Sequence, residues 1–255
     1  MNFWKKVSAL DSVGGWISHL FEYISGSLKE VTFEVYALED IKAADGESED
    51  YYKKDDLIAT ITTDETGVAK LTDLPLGKYY VKEKETANGY VLDSTAREID
   101  LTYRDQDTAE VTYSSDWQNN RQKAEVKVLK KEKDSDRVLE GAVFALCNKE
   151  DIVNANGDVI LKADTVIEEQ ATDKEGTVTF TADLPIGYTY YVKETSPAPG
   201  FATTDQVQEF TFEYDGADKE TLSYEFTFED EPTVVEITKT SLTDGKELER
   251  GETGK

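Results

Sequence analysis

One lysine and two carboxylic acids sit where side-chain parity aims them at an apolar interior. Residues two apart on an extended strand share a face. Val126, Val128 and Lys130 share one such face, Tyr190, Val192 and Glu194 a second, and Leu222, Tyr224, Phe226, Phe228 and Asp230 a third. Burying such charges in isolation costs several kcal/mol each, so two ordinary arrangements stay open: strand ends in water, or a plain buried ion cluster. If the three groups instead converge in a dry interior, desolvation lowers the lysine pKa and raises both carboxyl pKa values. Neutral amine then faces neutral acid, the pair that condenses to an amide.

Other chemistries find little support. Cys147 is the single cysteine and His19 the single histidine, which removes an internal disulfide framework, a histidine-based zinc site and a Ser/His/Asp triad. Cys147 follows Phe144-Ala145-Leu146 and reads as an apolar filler. A hydrolase built on Glu194 and Asp230 would need a substrate-positioning motif, and parity buries both groups. Asn154, Asn156 and Asp158 alternate like calcium ligands, but Val159 stands where that loop needs glycine, and Asn154-Ala155-Asn156-Gly157-Asp158 reads better as a hairpin turn. The expectation is no metal, no cofactor and no enzyme in the turnover sense.

The elements that must position these groups belong to a folded, acidic, repetitive chain. Its 255 residues make one large or two small domains. Against 54 Asp and Glu stand 28 Lys and Arg, and a net charge of −26 disfavours nucleic acid and anionic membranes as partners. With 38% hydrophobic and 11% aromatic residues the chain has too much core material to be disordered. No apolar run approaches the roughly 20 residues that span a bilayer. Residues 1–6 carry two lysines, but Asp11, Gly14, Gly15 and His19 interrupt the apolar stretch beyond them, and neither a signal peptide nor a wall-sorting motif is read here.

One internal repeat organises the chain. Thr63-Asp64-Glu65-Thr66-Gly67, Asp73-Leu74-Pro75-Leu76-Gly77 and Tyr80-Val81-Lys82-Glu83 recur as Thr172-Asp173-Lys174-Glu175-Gly176, Asp183-Leu184-Pro185-Ile186-Gly187 and Tyr191-Val192-Lys193-Glu194, at offsets of 109, 110 and 111. Leu28 to Phe33 matches Leu139 to Phe144 at 111, and Val235-Glu236-Ile237-Thr238-Lys239 repeats Val126-Lys127-Val128-Leu129-Lys130. Period-two alternation, as in Val31, Phe33 and Val35 against Thr32, Glu34 and Tyr36, predicts short strands punctuated by turns. The fold class is all-β: tandem small antiparallel Greek-key sandwiches. The segments are residues 1–27, an atypical start; 28–122, a first repeat; 123–233, a second; and 234–255, the start of a truncated third. Phe3, Trp4, Val7, Leu10, Ile17, Leu20, Phe21 and Ile24 fall near helical spacing, so the start reads either as two short helices or as a replaced first strand of the first repeat.

The order Val-x-Val-x-Lys, Leu-x-Gly-Ala-x-Phe, Thr-Asp-x-x-Gly, Leu-Pro-x-Gly, Tyr-Val-x-Glu, Pro-x-Gly-Phe and Phe-x-Asp-x-Pro across residues 123–233 resembles the collagen-adhesin B-type (CnaB), or SpaA-like, pilin repeat of Gram-positive surface proteins. That resemblance implies immunoglobulin-like, prealbumin-like sandwiches. It also implies an intramolecular isopeptide bond, with Lys130 as nucleophile, Asp230 as electrophile and Glu194 assisting. Its first-repeat equivalents are Glu83 and Asn119. The lysine is missing there, because counting nine residues back from Leu28, as Lys130 precedes Leu139 by nine, lands on His19. Lys239 takes the lysine position of the third copy. The implied role is a stalk or spacer module of a cell-wall-attached, extracellular adhesin or pilin, whose partners are neighbouring repeats and other surface subunits. The alternative is a module recognising host matrix protein or glycan through exposed Tyr80 and Tyr191 or the acidic loop from Asp45 to Asp56.

Overall fold

The structure, a computed structural model, describes residues 4–10, 17–23, 25–43, 45, 47–105, 107–108 and 110–239. These residues form strands and connections with no helix among them. The start holds β1 (Trp4–Leu10) and β2 (Ile17–Tyr23), and the first repeat holds β3 (Thr32–Ala37), β4 (Leu57–Thr62), β5 (Lys78–Glu85) and β6 (Arg97–Asp100). The second repeat holds β7 (Lys123–Glu132), β8 (Val143–Asn148), β9 (Ile152–Val153), β10 (Val159–Leu161), β11 (Val166–Ala171), β12 (Thr177–Phe180), β13 (Tyr188–Ser196), β14 (Val207–Phe212) and β15 (Thr221–Asp230).

In the second repeat a β12-β7-β15 sheet and a β11-β8-β13-β14 sheet enclose one core. Alternation places Val126, Val128, Phe144, Leu146, Val192 and Phe228 between them. Every pairing is antiparallel except that of β7 with β15, which is parallel over ten registered positions and sets the repeat's first and last strands side by side. The Asn154–Asp158 segment is a hairpin turn joining β9 and β10, closed by Asn154 N–H to Asp158 O at 2.9 Å, with Gly157 at φ 86°.

Among the described residues the first repeat shows one of the two sheets, β4-β3-β5-β6, the counterpart of β11-β8-β13-β14. Its last stretch, residues 110–120, forms no strand. The physical reason is visible in the second repeat, where the last strand owes its ladder to the first; among the described residues no counterpart of β7 lies beside residues 110–120.

In place of the expected helices, the described parts of residues 1–27 are strands: β1 pairs antiparallel with β2 over seven positions. Nor does that segment supply a first strand to the first repeat, since β2 pairs at Ser18 with Glu168 of β11, extending the second repeat's sheet. Short apolar runs fit either period, and a vacant sheet edge decides between them. Phe21 is buried in the second repeat's core, and the Tyr23 hydroxyl donates to Asp183 O at 3.0 Å.

Gln122 joins the repeats. Its buried side chain donates to Gly216 O (3.1 Å) and Lys219 O (2.8 Å) and accepts from Asp215 N–H (3.1 Å), while its own N–H donates to Gly89 O (2.9 Å).

The repeats solve one turn differently. Gly141 has φ 87°, whereas its counterpart Glu30 holds φ 62°, a left-handed conformation that costs a side-chain-bearing residue about 1–2 kcal/mol. Glu30→Gly is therefore expected to stabilise the first repeat by about 1 kcal/mol. Gly176→Ala should destabilise the second repeat by more than about 1 kcal/mol, because at φ 70° a Cβ would stand 2.8 Å from Lys130 O and 2.7 Å from Val138 Cβ. Urea unfolding midpoints of the two variants check both signs.

Candidate functional site

Lys130, Glu194 and Asp230 converge. Lys130 lies opposite Phe228 in the parallel β7–β15 register and Asp230 two positions further on, so both side chains leave one sheet on the same face. Glu194 comes from the opposing sheet, on β13 opposite Phe144 of β8, at a register shift between Glu194 and Ser196. Lys130 Nζ is in direct hydrogen-bond contact with Asp230 Oδ1 and lies 2.9 Å from Glu194 Oε1. All three side chains have no solvent exposure.

The surroundings are apolar and the hydrogen bonding is incomplete. Phe144 and Phe228 pack at 4.9 Å between centroids, and Nζ stands 5.7 Å from the Phe144 ring. Thr204 N–H donates to Glu194 Oε2 at 3.0 Å, fixing the carboxyl's orientation. Glu194 Oε1 faces the amine at ion-pair distance, and Asp230 Oδ2 has no hydrogen-bond partner among the described residues. Desolvation pushes the Glu194 carboxyl above its ordinary range and the nearby Asp230 charge adds to this, against the opposing pull of Lys130 and of the Thr204 N–H. The arrangement is an amine held against two acids in a pocket closed to water, so the strand-end reading drops out.

The first repeat builds the same site without the amine. Glu83 is buried opposite Phe33, beside a register shift, as Glu194 is opposite Phe144. Asp93 N–H donates to Glu83 Oε2 at 2.7 Å, ten residues on, as Thr204 does ten residues after Glu194. Asn119, 36 residues after Glu83, donates its amide to Glu83 Oε1 and Oε2 at 2.8 and 2.7 Å and to Val91 O at 3.0 Å. Trp117 meets Phe33 edge-on at 5.0 Å, where Phe228 meets Phe144, and carries the Arg97 guanidinium 3.8 Å from its ring centroid. His19 does not belong to this site: it lies on β2, which pairs with β1 and with β11 of the second repeat. Lys239 is exposed and outside any strand, and the rest of the expected third copy, from residue 240, lies outside the described residues.

Sequence parity missed the backbone donors at Asp93 and Thr204 and the Phe33–Trp117 pair. The signal that could have found them is the equal spacing from each glutamate. Exposed Tyr191 is corrected: it is buried on the outer face of its sheet beside Ala145 and Cys147, with Val166 packed on them. Tyr80 is half-buried, stacked on Tyr36 at 5.0 Å and donating to Asp55 Oδ1. Cys147 is fully buried, and desolvation pushes its thiol up, as befits a filler.

The family described as SpaA, prealbumin-like fold domain, matches residues 24–117 and a second time residues 124–225. The chain belongs to this family. Among solved structures its two SpaA domains are similar to the Bacillus anthracis TIE protein, at 20% identity and TM-score 0.52, covering 91% of this chain and 41% of that one. This chain thus spans about two fifths of that structure's length. A shaft pilin SpaA from Lactobacillus rhamnosus GG matches at 17% identity and TM-score 0.33, covering 93% and 100%, and a minor pilin of Streptococcus agalactiae at 18% and 0.33, covering 85% and 88%. No curated protein sequence matches. Among the described residues no helix is long and apolar enough to cross a membrane.

Replacing Lys130 leaves two buried acids without a cation, and Lys130→Met is expected to cost about 3–5 kcal/mol at pH 7. The folded protein holds a proton on Glu194 more readily than the unfolded chain does. That acid form favours folding below the ordinary carboxyl range, and the advantage is lost as the pH rises through the raised value. The cost of Lys130→Met should therefore shrink between pH 7 and pH 4, which urea unfolding across that range measures.

Proposed function

We propose that this chain is a pair of spacer domains of a pilin-like, extracellular stalk, and that its second domain locks itself with an amide between Lys130 and Asp230. The observation that carries the reading is the contact of Lys130 Nζ with Asp230 Oδ1 inside a site with no solvent exposure, with the Glu194 carboxyl 2.9 Å from the same nitrogen. A structural ion cluster would be expected to satisfy its oxygens, and this one leaves the buried Asp230 Oδ2 without a hydrogen-bond partner among the described residues.

The chemistry is a condensation. Transfer of a proton from the Lys130 ammonium to a carboxylate leaves a neutral amine beside neutral acid. Nζ attacks Asp230 Cγ, the Cγ–OH bond breaks, and one water leaves. Glu194 in its acid form polarises the Asp230 carbonyl and carries the proton from nitrogen to the departing hydroxyl. Folding supplies the proximity that an external catalyst would otherwise provide. One bond forms per molecule, so the domain is its own substrate and does not turn over.

The consequence is mechanical. Tension enters at the start of β7 and leaves at the end of β15. A Lys130–Asp230 bond would carry it directly, leaving the segment between them, about 100 residues, unloaded. By analogy with disulfide loop closure the same bond is worth on the order of 4–5 kcal/mol. Neighbouring domains and other subunits of the assembly are the partners this role requires, and surface location follows from it. Recognition of matrix protein or glycan is the weaker reading, since Tyr191, one of the two tyrosines it rests on, is buried.

Intact mass of the denatured chain tests the proposal. The wild type should be lighter than its sequence by one water, and Lys130→Ala and Glu194→Ala should both restore the full mass. A wild type at full sequence mass removes the lock.

A further inference from the structure

The two repeats build one turn from different residues, and only one version is chemically inert. Ala87-Asn88-Gly89-Tyr90 and Ala198-Pro199-Gly200-Phe201 have the same form: Tyr90 N–H donates to Ala87 O at 3.2 Å, Phe201 N–H donates to Ala198 O at 3.1 Å, and both glycines hold φ 89°. A positive φ at the third residue is the type II turn, in which proline suits the second position. The first repeat has asparagine there instead. Its side-chain carboxamide carbon stands next to the backbone nitrogen of a residue without a side chain, the geometry for attack within one chain.

The structure distinguishes Asn88 from the chain's other Asn-Gly pair, Asn156-Gly157. Attack requires the glycine N–H to give up its proton. Gly157 N–H is held by Asn154 O at 3.0 Å, and Asn154 Oδ1 further pins Asn156 N–H at 2.9 Å and Asp158 N–H at 3.0 Å. Among the described residues Gly89 N–H donates no hydrogen bond, and Asn88 is exposed.

The joint between the repeats hangs on this turn. Gly89 O accepts from Gln122 N–H at 2.9 Å, and three residues on Leu92 N–H donates to Ala217 O of the second repeat at 2.8 Å. Gly89 also faces the second repeat's Ile186, whose Cγ2 lies 3.7 Å from where a Cβ would stand.

We propose that Asn88 is a self-modifying site, and that its conversion to isoaspartate loosens the joint between the two domains. Gly89 N attacks Asn88 Cγ, the Cγ–Nδ2 bond breaks, and ammonia leaves with the proton that Gly89 N gives up. Water then opens the cyclic imide. Attack of that water on the main-chain carbonyl carbon leaves the backbone running through Cβ and Cγ, with a free carboxylate where the peptide carbonyl was. In total, carboxamide plus water becomes carboxylate plus ammonium. The lengthened backbone carries Gly89 O away from Gln122 N–H and Leu92 N–H away from Ala217 O. The step involves none of Lys130, Glu194 and Asp230, so it stands apart from the second-domain lock.

The test ages the full-length chain at mildly alkaline pH, folded and in urea, and follows Asn88 and Asn156 in tryptic peptides 85–97 and 150–162. Conversion reads as the mass gained when water replaces ammonia, and an isoaspartyl methyltransferase labels the isoaspartate. In the folded chain Asn88 should convert faster than Asn156 by a factor of about 2 to 10, the worth of one net hydrogen bond. In urea the two rates should converge. Backbone amide exchange at Gln122 and Leu92 should rise in the aged wild type. It should stay constant in aged Asn88→Pro, which carries the second repeat's version of the turn. Conversion of Asn88 no faster than that of Asn156 in the folded chain overturns the inference. So does converted protein whose Gln122 and Leu92 amides are as protected as before.

Discussion

The second domain is organised around an amine buried between two acids. A lysine with no solvent exposure is tolerable only if opposite charge, or the loss of its own charge, compensates the lost hydration. Asp230 meets it from the neighbouring strand and Glu194 from the opposing sheet, so the requirement ties together the first strand, the last strand and both layers of the sandwich. The Phe144–Phe228 pair keeps water out and so raises the electrostatic stake. The feature that would make the site reactive is thus also what gives its strands reason to meet in one register.

The parallel pairing of β7 with β15 is the second constraint. Parallel neighbours need a long crossover, and here the whole intervening domain serves as that crossover. The first and last strands stand or fall together. The first domain illustrates this: its counterpart of the β11-β8-β13-β14 sheet forms without help, whereas its final stretch, deprived of a partner, remains irregular. Asn119 and Trp117 are nevertheless held in place by side-chain contacts to Glu83 and Phe33. The two domains therefore show one site in two conditions, complete and lacking its amine.

Much of this was legible in the residue order. Parity along three segments pointed Lys130, Glu194 and Asp230 inward, and the repeat offsets located Glu83 and Asn119. The Asn154–Asp158 turn was readable because Gly157 occupies a position with positive φ. The start of the chain was not readable, because a short apolar segment takes its conformation from whatever edge it can pair with, and β11 offered one. Tyr191 misled for a related reason: alternation tells which residues share a face, and only packing of Val166, Ala145 and Cys147 tells that the outer face is covered too.

What the sequence by itself determined is the all-β character, the tandem repeat and the amine and two acids aimed at the interior, since each follows from local alternation, turn chemistry and residue type. Only the tertiary structure decided that amine and acid touch, that water is excluded around them, and that among the described residues no amine reaches the matching site of the first domain. Those are consequences of pairing between segments about 100 residues apart, and local pattern carries no information about which distant edge a strand will choose.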